Sequence, residues 1–197
     1  CSAILKKNEP IVCRALIVTC GTFLNGLIHV GAESFKAGRM GEKNSQGLTE
    51  TLVDHGFTTQ RLKTGTPPRL SAASIDFDKM TIAGGDNPFS KFSLFSNHKN
   101  SIKQEPCYLT NTNQDTHSII NSNLNQSPMF SGKISGIGPR YCPSVEDKVF
   151  RFKDRSSHHL FLEPEWKNSN QIYVNGFSTS LPKKIQIAAL RTIEGLE

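Results

Sequence analysis

The sequence predicts an α/β (α+β) chain in which a mixed or antiparallel β region interrupts the elements that flank it. Three observations carry this. Residues 11–19, Ile-Val-Cys-Arg-Ala-Leu-Ile-Val-Thr, become nearly continuously apolar at their end, the pattern of a strand covered on both faces. Residues 74–110 alternate short apolar runs with turn residues, which suits antiparallel β and not βαβ units. Ile185, Ala189, Ile193 and Leu196 recur at helical spacing near the end of the chain, a stripe that should dock on a sheet.

Taken in order, residues 2–7 and 11–19 read as two strands around Asn8-Glu-Pro. The second ends at Gly21, where a missing Cβ lets a ligand approach the backbone or simply makes a tight exit. Residues 27–31 form a short strand. The loop from Ala37 to Glu42 holds Gly38, Arg39 and Gly41; it either cradles a phosphate or a ring edge, or is an ordinary turn. Residues 45–55 read as a helix with Leu48, Leu52 and Val53 inward and Gly56 at its C-terminus. Residues 58–63 read as a strand, followed by the rigid turn Thr-Gly-Thr-Pro-Pro-Arg at residues 64–69. Arg61, Lys63 and Arg69 surround that turn, as a phosphate-facing patch or as a solvated strand edge.

Residues 89–95 and 107–109 are the clearest strands of the β region, with a polar loop over residues 96–105. Residues 113–124 form a helix with Ile119, Ile120 and Leu124 on its apolar face, capped by Thr112 or Asn113. Residues 145–152 alternate weakly and read as a strand. Residues 159–162 and 171–174 pair as a hairpin around Lys167-Asn-Ser, with Glu163 and Glu165 at the end of its first strand. Two carboxylates can act as acid and base, though Glu-Pro-Glu is also an ordinary turn. The last helix runs over residues 182–196, with Ser180 as N-cap and Pro182 just inside its start.

The chain has 197 residues, 36% hydrophobic and 20% charged, enough for one ordinary domain and part of a second. A start at Cys1, inside a strand pattern, marks a piece of a longer protein. The net charge of +6 favours an anionic partner such as nucleic acid or a nucleotide. Five cysteines with no paired spacing suit free thiols in a reducing compartment. No apolar run is long enough to cross a bilayer and no signal peptide is visible. His158 and His159 have no metal-ligand spacing.

The chemistry concentrates in Gly-Pro-Arg-Tyr-Cys-Pro-Ser-Val-Glu-Asp-Lys-Val-Phe-Arg-Phe at residues 138–152. It holds Cys142 between Pro139 and Pro143, which stiffen the backbone. Arg140 and Lys148 are cations that favour a thiolate or hold a phosphate. On residue types alone, a reactive thiol and a proline-rich turn leading into a strand stand side by side.

This stretch resembles the signature of the MnmG (GidA) family of tRNA-modifying flavoproteins. Further blocks match in family order: Thr19-Cys-Gly-Thr-Phe-Leu-Asn-Gly, Gly38-Arg-Met-Gly-Glu, Arg61-Leu-Lys-Thr-Gly-Thr-Pro-Pro-Arg, Gly85-Asp-Asn-Pro, Phe161-Leu-Glu-Pro-Glu, and residues 176–182. The resemblance implies a glutathione-reductase-type FAD domain with an inserted mixed or antiparallel β domain that binds nicotinamide. On it, residues 1–45 end the FAD-domain portion, residues 46–175 form the inserted nicotinamide and substrate domain, and residues 176–197 return toward the FAD domain.

The family resemblance implies an enzyme that, with the GTPase MnmE, installs an aminomethyl-type group on carbon five of the wobble uridine of tRNA. FAD, NADH and methylene-tetrahydrofolate as one-carbon donor are implied with it, as is a homodimer of the full-length protein. By the same match, Ser45 contacts flavin. Gly138, Pro139, Arg140, Tyr141, Cys142, Pro143, Ser144, Val145, Glu146, Asp147, Lys148, Val149, Phe150, Arg151 and Phe152 form the segment assigned to the dinucleotide. Cys142 matches the cysteine that adds covalently to the uracil ring.

Two departures stand out. The Gly-rich phosphate loop of an FAD domain is not in this chain, so alone it should not hold FAD tightly. Trp166 stands where the family commonly has Gly after Leu-Glu-Pro-Glu. Bacterial cytoplasm and mitochondrial matrix both fit. A folate- and FAD-dependent tRNA uridine methyltransferase is the neighbouring alternative, and a non-catalytic tRNA- or partner-binding module is the other.

Overall fold

In the computed structural model, which describes residues 2–3, 10–87, 93, 95, 104–134, 136, 138 and 142–197, a five-stranded antiparallel sheet organises most of the chain. Its strands are β5 (Arg69–Ser71), β6 (Thr81–Ala83), β7 (Cys107–Asn111), β8 (His159–Pro164) and β9 (Gln171–Asn175), in the order β5-β9-β8-β7-β6. Every neighbouring pair is antiparallel. The predicted hairpin is the β8–β9 pair. Its turn carries Asn168 at φ 60, a left-handed position that Asn tolerates. Trp166 sits in that same turn, its carbonyl accepting the Ser169 N–H at 2.9 Å.

The sheet buries one face, because side chains alternate along a strand. Leu160 and Leu162 of β8 and Ile172 and Val174 of β9 point into the core. Three helices, α2 (Gln114–Asn121), α3 (Val145–Arg151) and α4 (Lys183–Leu190), and the turns beside them add to that core. Ile120, Val145, Val149, Leu181, Ala189 and Ile193 join the strand residues around Phe177, the largest fully buried side chain. A wholly buried Phe contributes about 3 kcal/mol of apolar transfer.

Local chemistry sets these helix ends. Asn113 caps α2, its Oδ1 accepting the Thr116 N–H at 2.9 Å. Helix α4 begins after Pro182, which is itself the N-cap, and ends at Leu190, earlier than the predicted Leu196. The Thr192 hydroxyl donates back to the Ala189 carbonyl at 2.7 Å, and Gly195 takes φ 86, so turns carry Ile193 and Leu196 into the core. Ser180 is not the cap expected of it; its hydroxyl pairs with Ser127 Oγ at 2.9 Å.

The chain divides into two compact units, Cys1–Ile28 with Phe35–Thr59, and His29–Ser34 with Gln60–Glu197. The sheet and helices above belong to the second. The first holds β1 (Ser2–Ala3), β2 (Ile11–Val12) and α1 (Leu48–Asp54). β3 (Leu27–Val30) and β4 (Glu33–Lys36) pair as a two-stranded sheet. Glu50 reaches back to the Gly47 N–H at 2.9 Å to cap α1. Gly56 at φ 85 ends the helix, with Gly56 N–H on Val53 O and Phe57 N–H on Leu52 O, the paired bonds of a Schellman motif.

Several expected elements differ. The strand over residues 11–19 stops at Val12, and Val12 and Ile17 are 84% exposed. A strand covered on both faces needs neighbours along its edges, and among the described residues its partner is the two-residue β1. Residues 58–63 form no strand beyond a single bridge at Leu62. Residues 145–152 fold as helix α3 and not as a strand, for a reason given below. Residues 89–92 and 94 of the expected strand at 89–95, residues 96–103 of the loop at 96–105, and residues 4–7 of the first strand lie outside the described residues. The fold is mixed α/β with antiparallel sheets.

Candidate active site around Cys142

Helix α3 is set by Ser144. Its hydroxyl accepts the Asp147 N–H at 3.1 Å, and the Asp147 carboxylate accepts the Ser144 N–H at 3.1 Å, a reciprocal capping box. Glu146 and Asp147 complement the positive end of the helix dipole. Cys142, half-buried, precedes this cap by two residues. The Val145 N–H donates to Ser178 O at 2.7 Å, which pins the start of α3 to the segment after β9.

The Thr64–Arg69 turn lies against the same segment. Thr179 N–H donates to Thr66 O at 3.3 Å and Val174 N–H to Pro68 O at 3.4 Å. A Cβ at Gly65 would stand 2.6 Å from Ser178 Cβ and 4.0 Å from Cys142 Sγ. Gly65 therefore lets the backbone of the turn pass close to the Ser178 side chain, beside the thiol.

Two of the three cations around this turn are held in separate ion pairs. Lys63 Nζ pairs with Asp147 at 3.4 Å, with 13% and 15% of the two side chains exposed. Arg69 Nε pairs with Glu165 at 2.8 Å. Its Nη1 donates to Thr66 Oγ1 at 2.8 Å and to Pro67 O at 3.0 Å. Its guanidinium carbon stands 4.7 Å from the Tyr173 ring centroid, a cation–π contact. The β5–β9 register makes this pair, with Arg69 directly opposite Tyr173. The Tyr173 phenol is pushed up from its ordinary value, chiefly by burial, with Arg69 opposing and Glu163, Cys142 and Glu165 adding to it. Of the two carboxylates of Glu-Pro-Glu, Glu163 accepts from Asn175 and Glu165 holds Arg69.

The stretch at residues 138–152 divides by environment. Val145, Glu146 and Val149 face the core. Glu146 is fully buried, Oε1 accepting the Ser180 N–H at 3.0 Å and the Ser127 hydroxyl at 3.2 Å. Its Oε2 has no partner among the described residues. Lys148 turns to Gly176 O at 2.9 Å, not to the thiol, and burial lowers its pKa. Phe150, Arg151, Phe152 and Pro143 are exposed. Gly138 lies beside the Lys63 stem. Pro139, Arg140 and Tyr141 lie outside the described residues. Ser45 belongs to the first unit, where its backbone exchanges hydrogen bonds with Phe23 and Asn25.

The neighbouring histidines bond to β7 and the residue after it. His159 bonds Asn111 at 2.7 Å, and the His158 backbone N–H donates to Thr112 Oγ1, which also meets His117 Nε2 at 2.8 Å. Among the described residues no group of His, Cys, Asp and Glu could hold a metal ion.

Sequence reasoning missed the Arg69–Glu165–Tyr173 group. The signal available to it was the two motifs Thr-Pro-Pro-Arg and Leu-Glu-Pro-Glu, each with one charge that needs a partner.

A family model described as glucose inhibited division protein A matches residues 1–197. The tRNA uridine 5-carboxymethylaminomethyl modification enzyme MnmG of Thermodesulfovibrio yellowstonii is 55% identical over 184 residues, 93% of this chain and 29% of that protein. The enzyme of the same name from Chlorobium chlorochromatii is 54% identical over 194 residues, 98% of this chain and 31% of that protein. The crystal structure of GidA from Aquifex aeolicus (form I) superposes with a TM-score of 0.81 at 43% identity, covering 95% of this chain and 32% of that one. The chain thus spans about three-tenths of the length of the relatives it matches.

Proposed function

Because the chain belongs to the glucose inhibited division protein A family, we propose that the whole protein modifies the wobble uridine of tRNA at carbon five, with Cys142 as its nucleophile. The reading includes an aminomethyl-type product, the GTPase MnmE as partner, a homodimer, and the cytoplasm of a bacterial cell. The observation that carries it is the setting of Cys142. The thiol is half-buried, ahead of a capped helix, beside the close approach of Gly65 to Ser178.

In this mechanism the Cys142 thiolate forms a bond from Sγ to carbon six of the uracil ring. The C5=C6 electron pair moves toward carbon five and the O4 oxygen, which makes carbon five a nucleophile. Carbon five takes up the one-carbon unit, which also bonds the amine nitrogen of glycine or ammonium. Loss of its proton and departure of the thiolate then restore the ring. FAD and NADH, when bound, supply the reducing equivalents for handling the one-carbon unit from methylene-tetrahydrofolate.

The residues fit those groups in part. Gly41 and Gly47 flank Ser45 at φ 80 and 99, and a Cβ at either would meet nothing within 4 Å, so open backbone is available to a ring or phosphate there. In the dinucleotide-assigned stretch, the exposed rings of Phe150 and Phe152 and the Arg151 cation suit a base and a phosphate. Val145, Glu146 and Val149 support the stretch from inside.

The test is mass spectrometry of tRNA nucleosides from cells lacking the gene. Loss of aminomethyl-type wobble uridines supports the reading. Loss of methylated uridine alone moves the protein to the folate-dependent methyltransferases, and no change in either overturns the enzyme reading.

A further inference from the structure

The Arg69 side chain is built for more than an ion pair. Its Nε and Nη1 are engaged by Glu165, Thr66 and Pro67, and its guanidinium carbon stands over the Tyr173 ring. Among the described residues Nη2 makes no hydrogen bond, and 21% of the side chain is exposed. Four contacts therefore fix the guanidinium in one orientation while one end of its fork remains available. An Arg held this way loses little freedom when it binds an oxygen.

Its position relative to the thiol follows from the Thr64–Arg69 turn. The Cβ position of Gly65 is 4.0 Å from Cys142 Sγ, and the next residue, Thr66, receives Arg69 Nη1 at 2.8 Å. Tyr173 borders both groups: it carries the guanidinium on its ring, and the charge of Cys142 acts on its phenol. The thiol and the Arg69 fork thus adjoin consecutive residues of one turn, Gly65 and Thr66.

We propose that Arg69 is a catalytic residue that donates from Nη2 to the O4 oxygen of the uracil ring attacked by Cys142, with Glu165 and Tyr173 as its positioning residues. This rests on the nucleophile reading above. As the Sγ–C6 bond forms, the C5=C6 π pair is displaced and negative charge develops on O4. No oxidant or reductant enters this step. A fixed donor aimed at a developing oxyanion acts in the transition state more than in the ground state.

The experiment uses the full-length protein with its GTPase partner, cofactors and an unmodified tRNA transcript. Single-turnover modification rate and tRNA affinity are measured for wild type, Arg69→Ala, Arg69→Lys and Cys142→Ser. Arg69→Ala should slow the reaction by about 100-fold or more, with tRNA affinity within about threefold. Arg69→Lys should not restore the rate, because an ammonium lacks the fork. Guanidinium ion added to Arg69→Ala should recover part of it. Should Arg69→Ala fail to melt cooperatively, Arg69→Met keeps the apolar stem over Tyr173 and takes its place. A rate within about threefold of wild type overturns the proposal, and so does a loss of tRNA affinity as large as the loss of rate. If Cys142→Ser is inactive while the Arg69 variants are not, only the Arg69 assignment fails. If Cys142→Ser retains activity, the nucleophile reading itself fails.

Discussion

Lys63 and Asp147, 84 residues apart in sequence, form an ion pair at 3.4 Å in which both side chains are about six-sevenths buried. Asp147 is also the residue that closes the capping box of α3 with Ser144. One carboxylate therefore ties the Thr64–Arg69 turn to the helix that begins beside Cys142.

Removing that carboxylate should be costly. Asp147→Ala leaves a largely buried ammonium without its partner and undoes the cap, and the expected loss is about 3 kcal/mol. Asp147→Asn keeps an acceptor for the cap and should lose less. Urea denaturation of the two variants against wild type checks the order.

Gly65→Ala should disturb the site directly, because its Cβ falls 2.6 Å from Ser178 Cβ. The expected destabilisation is about 1–3 kcal/mol, as for other overpacked positions. Ser178→Gly removes the clashing atom, so the double variant should recover most of the loss. A double-mutant cycle measured by thermal melting gives the coupling. Additive effects would contradict the close approach.

Acid should weaken the second unit through two histidines. Burial lowers the pKa of His117, and burial followed by the charges of His117, Lys148 and Arg155 lowers that of His158. Below the ordinary histidine value of 6.5, the unfolded chain binds protons that the folded chain resists. Stability therefore falls as pH drops from 6.5 toward the lowered folded values and is unaffected by these groups above it. His158→Phe keeps an aromatic ring between His117 and Phe152 and should flatten the slope. Denaturation midpoints at about pH 7.5 and about pH 5.5 test this.

Much of this was legible in the sequence, for identifiable reasons. The β8–β9 hairpin announced itself by alternation and an Asn-containing turn, and α2 by its apolar face and Asn113 cap. Helix α3 was missed although Ser144-Val-Glu-Asp147 spells a capping box, because Val145, Val149 and Phe150 mimic weak alternation over so short a run. The strand expected through Val18 failed because its burial depends on neighbours that residue types in one segment do not reveal. Cys142 was identified by motif, whereas Arg69, Glu165 and Tyr173 meet only through the β5–β9 register and the end of β8. Long-range pairing of that kind leaves no local periodicity.

The most direct test of the central claim is the wobble-uridine content of tRNA from cells whose sole copy of the full-length protein carries Cys142→Ser. The expected result is loss of the aminomethyl-type nucleosides, with the variant protein still accumulating and binding tRNA. Modification at the wild-type level would contradict Cys142 as the nucleophile.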